Sequence, residues 1–230
     1  MSPKTIGKAC SLLLMEISYL YSMKLNLGGG PAAVLDRYGL RPLWDVFLFA
    51  AITVVFHVLW RLGRDWIEAS SLFISLSDAA THMVYLSAAW VNEKILGLDM
   101  LRLDAVCTFR FLDGGLPPDG RIAGTMIVDH TCSGLKQFYQ AFFLFLLYPG
   151  PWRHKLWFIP LAILVMHLVN VFRVVALSLV MVHAYPHWDL MHDWVLRPFF
   201  YVVLFALWVV WNERFRARAA SVNQTSNNGV

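Results

Sequence analysis

The sequence predicts an all-α polytopic membrane protein, about six transmembrane helices with a small extracytoplasmic β-hairpin-like insertion before the fourth. Three observations predict it. Of 230 residues, 58% are hydrophobic and only 15% charged, whereas soluble domains average about 45–50% apolar. Apolar runs near the ~20 residues that a helix needs to cross a bilayer recur along the chain. The basic residues sit in short loops beside those runs, the pattern that orients membrane insertion. The net charge of +4 is therefore a topology signal, and no basic patch interleaved with aromatics suggests nucleic acid. Three cysteines are an odd number, so no complete disulfide framework follows.

The first apolar run, residues 9–27, follows Lys4 and Lys8 and lacks a clear small-x-small cleavage site, so it reads as an uncleaved span. The second, 43–60, ends against Arg61 and Arg64. The third, 71–91, is diluted by Asp78, His82 and several serines. The longest break follows, residues 92–137, with a turn-rich centre at 114–120. Alternating pieces at 100–111 and 121–128 flank that centre and read as the hairpin.

The fourth span, 135–148, is closed by Pro149-Gly150-Pro151 and the basic turn Trp152-Arg153-His154-Lys155. The fifth run, 156–185, would extend roughly 45 Å as one helix, beyond a ~30 Å hydrocarbon core, so it must tilt, break or protrude. A sixth span at 196–211 precedes Arg214, Arg216 and Arg218. Residues 1–220 form one transmembrane domain, and 221–230 read as a disordered cytoplasmic tail. With all four basic sites in the cytoplasm, both termini lie inside. Segments 92–136 and 186–193 then share the outer face.

Chemistry concentrates on that face. Cys132 sits in His130-Thr131-Cys132-Ser133-Gly134-Leu135-Lys136-Gln137, where a helix start and the Lys136 cation both favour thiolate. Arg173 lies 17 residues after Leu156, roughly 26 Å up the fifth helix and level with Cys132. An arginine inside a span marks a functional site by default, although its long stem also allows it to reach the headgroups. Asn170, one turn below, is placed to orient the guanidinium or a bound peptide, or to make an interhelical packing bond. His192, beside Asp193 at the mouth of the last span, is the favoured histidine, with His130, His183 and His187 as alternatives. A thiol, a cation and a histidine are the inventory for acyl transfer through a thioester. No Cys/His pair recurs at ligand spacing, and no phosphate loop is present, so neither metal nor cofactor is expected.

Thr131-Cys132-Ser133-Gly134-Leu135, Asn170-Val171-Phe172-Arg173 and His192, in that order, resemble the three signature blocks of the exosortase/archaeosortase family of membrane-embedded cysteine proteases and transpeptidases. The resemblance covers residues 128–211. It implies catalytic roles for Cys132, Arg173 and His192, with Asn170, Ser133, Gly134 and Lys136 supporting them or binding substrate. Family members carry either histidine or a second arginine as third member, so His130, His187 and Arg197 stay open for that role. The implied partner is an exported protein ending in a short motif, often Pro-Glu-Pro, then a transmembrane helix and a basic cluster. Membrane lipid surrounds the enzyme, and a lipid or polysaccharide is the possible acceptor.

Two rival expectations remain. In a non-catalytic assembly factor or transporter subunit, Asp78, His167, Asn170 and Arg173 would line a pathway or an interface. In a lipid or polysaccharide acyltransferase, Cys132 would keep its chemistry and change its substrate.

Overall fold

In a computed structural model of the protein, residues 41–113 and 121–216 are described. The expected first span with Lys4 and Lys8, the turn centre at 114–120, and the tail at 221–230 lie outside them. The chain divides into two compact units, Met1–Trp66 and Ile67–Val230. Helix α1, Arg41–Glu68, has all but its last two residues in the first. The candidate site residues lie in the second.

Helix α2, Ser71–Trp90, starts where the Ser70 side chain accepts the Phe73 amide at 3.2 Å, an ordinary N-cap. Its buried stripe includes Ser77, Ala80, Thr81, Ala88 and Ala89, small residues that permit close approach of a neighbouring helix. That neighbour is α4, Trp152–His183, against which α2 and the short α3, Leu135–Leu147, both pack. A π-helical turn, Val91–Ile95, ends α2 and places Asn92, whose Nδ2 donates to Ser178 Oγ of α4 at 2.9 Å. A second π turn, Leu190–Val195, leads into α5, Leu196–Trp211. The buried positions Leu196, Phe200, Leu204, Trp208 and Trp211 keep one face of α5 inward.

Three described segments are long and apolar enough to cross a membrane: Leu43–Glu68, Trp152–His183 and Leu190–Phe215. Six spans are therefore not confirmed. The expected third run forms α2, too dilute in apolar residues to qualify. The expected fourth forms only the 13 residues of α3, about 20 Å of helix. The long fifth run neither breaks nor ends early. It forms one helix of 32 residues whose last turns stand beneath a β-sheet.

That sheet replaces the expected hairpin. It has three antiparallel strands in the order β1-β2-β3: β1 Met100–Leu103, β2 Thr108–Asp113 and β3 Arg121–Ile127. The run 100–111 is two strands because Asp104–Val106 forms a 3-10 turn and Cys107 adopts a left-handed φ of 44°. Asp104 is the one turn former here, and the left-handed position holds cysteine instead of Gly or Asn, so the sequence does not announce a reversal. Phe109 pairs with Met126 and Phe111 with Gly124, and Met100, Phe109, Phe111 and Met126 join the core formed by α2 and α4. At Gly124 a Cβ would stand 2.7 Å from Met181 Cγ, so any larger residue there requires the Met181 side chain of α4 to shift. On the other side Tyr85 Oη donates to Asp104 at 2.8 Å, and Arg102 pairs with the same carboxylate at 3.0 Å. The phenol hydrogen bond first, then the guanidinium, hold Asp104 below the usual carboxylate range.

Candidate active site

Each residue from Asp129 to Leu135 has a local reason for its place. The Asp129 carboxylate accepts from the Thr131 amide at 2.9 Å and the Thr131 hydroxyl at 2.6 Å, capping the 3-10 turn His130–Cys132. Burial opposes the charge, but these bonds keep Asp129 below the usual carboxylate range. The buried Ser133 hydroxyl accepts the Leu135 amide at 3.2 Å. Gly134, at φ 74°, then turns the chain into α3. A Cβ on Gly134 would lie 2.8 Å from Asn170 Nδ2, so the position is glycine for two separate reasons.

Asn170 is fully buried on α4 and donates through Nδ2 to the Cys132 carbonyl at 2.7 Å. In this arrangement its amide nitrogen fixes the backbone of the cysteine. Cys132, expected at a helix start, ends a separate 3-10 turn before α3. Burial pushes its thiol above the ordinary range, and Arg173 is the principal influence in the opposite direction. Lys136 is half-buried in the first turn of α3 and does not line the cavity at Cys132.

Arg173 is only 7% exposed, so it does not snorkel to the headgroups. Its Nη2 donates to His192 Nε2 at 3.0 Å. Because a guanidinium only donates, Nε2 must be bare, and His192 carries its proton on Nδ1. That Nδ1–H donates to Asp193 Oδ1 at 2.7 Å. Asp193 also pairs with Arg197 at 3.1 Å. Among the described residues no carboxylate pairs with Arg173, and its Nε has no hydrogen-bond partner. A buried cation in that condition is suited to meet an anion.

Cys132 and His192 line one cavity of about 180 Å³, together with Asp129, Thr131, Trp188, Val174, Leu177 and the strand end Met126 to Val128. Trp188 stacks on the His192 ring at 6.0 Å and 9°. His130, His183 and His187 do not line this cavity, and all three are exposed. Arg197 pairs with Asp193 and does not line the cavity. Asp78 is exposed on α2. It therefore does not join Asn170 and Arg173 in an interior pathway, and His167, half-buried, stands against Phe138 at 6.3 Å.

The sequence reading missed Trp188, Asp129 and Thr131 as site residues. Nothing in the sequence singles out Trp188; an Asp two residues before a Thr is a local capping signal that was available.

Residues 96–209 match the family model described as transmembrane exosortase (Exosortase_EpsH). The chain belongs to this family. The match begins well before the signature blocks, so it takes in the whole β-sheet of this exosortase as well as the helices that carry Cys132, Arg173 and His192. No curated protein and no solved structure matches the chain. The protein is a multi-pass membrane protein.

Proposed function

We propose that this exosortase-family chain is a cysteine peptidase/transpeptidase that cleaves the C-terminal sorting signals of exported proteins at the outer face of the cytoplasmic membrane. One observation carries the reading: a buried arginine, unpaired with any carboxylate among the described residues, acts electrostatically on the half-buried Cys132 thiol and holds a histidine that lines the same cavity as that thiol.

The chemistry follows from those groups. Arg173 favours the thiolate of Cys132 against its burial, and the thiolate attacks the scissile carbonyl to give a thioester. Once Nε2 of His192 is released from Arg173, it can take the thiol proton and return it to the leaving amine, while Asp193 fixes the tautomer. The freed guanidinium is then available to the oxyanion. Asn170 keeps the Cys132 backbone in place throughout. Water, a lipid amine or a sugar hydroxyl then resolves the thioester.

The test is co-expression of the chain with an exported protein ending in Pro-Glu-Pro, an apolar span and an arginine cluster. Processing by the wild type and none by Cys132→Ala is expected. Equal processing by both would sink the cysteine mechanism.

A further inference from the structure

β3 is an edge strand, and its backbone can be read group by group. The Leu112 amide donates to the Asp99 carbonyl at 2.9 Å, across to the β1 side, and the Val128 amide donates to the Cys107 carbonyl at 2.9 Å. In an antiparallel ladder the bonded pairs alternate. Even-numbered residues of β2 therefore direct their backbone to β1, and odd-numbered ones direct it to β3. Phe109 pairs with Met126 and Phe111 with Gly124, so Met126 and Gly124 turn their backbone groups inward to β2. Thr125 and Ile127 turn theirs to the open edge. Among the described residues no strand pairs with that edge.

The edge leads straight into the candidate active site. Met126, Ile127 and Val128 form one wall of the cavity, and Cys132 lines it from the turn that follows. Thr125 and Ile127 present two amide–carbonyl sets about 6.8 Å apart, the repeat of an extended strand. A chain paired there is held by its backbone, and alternate side chains face the cavity wall of Val174, Leu177 and Trp188.

We propose that the open edge of β3 is the docking strand for the extended segment of the exported substrate, which adds as a fourth strand and is led by it to Cys132. This rests on the peptidase reading given above. Recognition is then mostly of extended backbone, with one apolar side chain selected by the cavity.

Thr125→Pro removes an outward-facing donor and puts a ring on the edge, leaving the bonds to β2 intact because residue 125 does not make them. With the reporter described above, cleavage by Thr125→Pro is expected to fall about tenfold or more, the loss of one or two ordinary hydrogen bonds, and Thr125→Val to stay near wild type. Alkylation of Cys132 by iodoacetamide stays unchanged in both. Should Thr125→Pro misfold, a benzoylphenylalanine at position 127 in a Cys132→Ala background decides, because it is expected to trap the reporter within its motif. Cross-linking to a second copy of the chain, or to residues 1–40 of the same chain, would overturn the docking strand. So would a folded Thr125→Pro that cuts like wild type. Trapping of the reporter at 127 together with undiminished cleavage by Cys132→Ala would keep the docking strand and remove the peptidase mechanism.

Discussion

Nε2 of His192 accepts a hydrogen bond from Arg173 Nη2 at 3.0 Å, so the imidazole nitrogen that would receive a proton from Cys132 is held by a cation. Cysteine, arginine and histidine thus form a set in which one contact must open before another forms. Arg173→Lys keeps the charge but loses the planar fork. We expect it to lower reporter processing about a hundredfold or more, with protein abundance unchanged, read as cleaved product per enzyme on a blot.

Asp193 and Arg197 separate the candidates for third member. Asp193→Asn replaces an acceptor-only carboxylate with an amide that can also donate to Nδ1, so the Nδ1–H tautomer of His192 is no longer fixed, and the change should cost about tenfold to a hundredfold in processing rate. Arg197 is 60% exposed in its ion pair with Asp193, and surface pairs contribute little. Arg197→Gln should therefore stay within about threefold of wild type. The opposite ranking would transfer the role to Arg197.

The Cys132 thiol is pushed up by burial and pulled back by Arg173. A raised thiol is mostly protonated at neutral pH, so alkylation by iodoacetamide should be slower than for free cysteine at pH 7. It should rise about tenfold per pH unit until the thiol titrates. Arg173→Gln removes the opposing influence, which moves the profile to still higher pH. A profile that moved to lower pH would contradict this electrostatic account.

Gly134→Ala introduces both a strained φ and a Cβ against Asn170. The left-handed backbone alone costs about 1–2 kcal/mol, and the contact adds to it. Measured by thermal unfolding in detergent, the penalty should be smaller in an Asn170→Ala background, a coupling that a double-mutant cycle reads directly.

At the other end of α4, Lys155 is only 2% exposed. Its Nζ donates to the Leu146 carbonyl at 2.7 Å and lies 4.5 Å from the Trp152 ring. Lys155→Met would leave that carbonyl unpaired, at a cost of about 1–3 kcal/mol in stability. Activity per folded molecule should be unchanged, since Lys155 touches nothing at the cavity.

The site was legible in the sequence where residue type and helical rise suffice. Arg173 stands out because an ionised group in an apolar run needs a reason, and rise arithmetic placed it level with Cys132. Partners were not legible. Asn170 reaches the Cys132 carbonyl across 38 residues of chain, and nothing in either segment specifies which backbone group it meets. The thiolate argument from a helix start did not foresee that Cys132 ends a 3-10 turn of its own, with Ser133 and the left-handed Gly134 between it and α3. In the fold, hydropathy found the long α4, but the third strand was hidden by a left-handed cysteine where a turn residue would be expected.

His192 rides on the π turn Leu190–Val195, and a π turn is what an α-helix becomes when it gains one residue. Removing that residue would rotate everything before it by about 100° relative to α5, turning the imidazole away from Arg173. A single codon therefore separates a helix that can complete this site from one that cannot, and a lineage could gain or lose the contact without mutating cysteine, arginine or histidine.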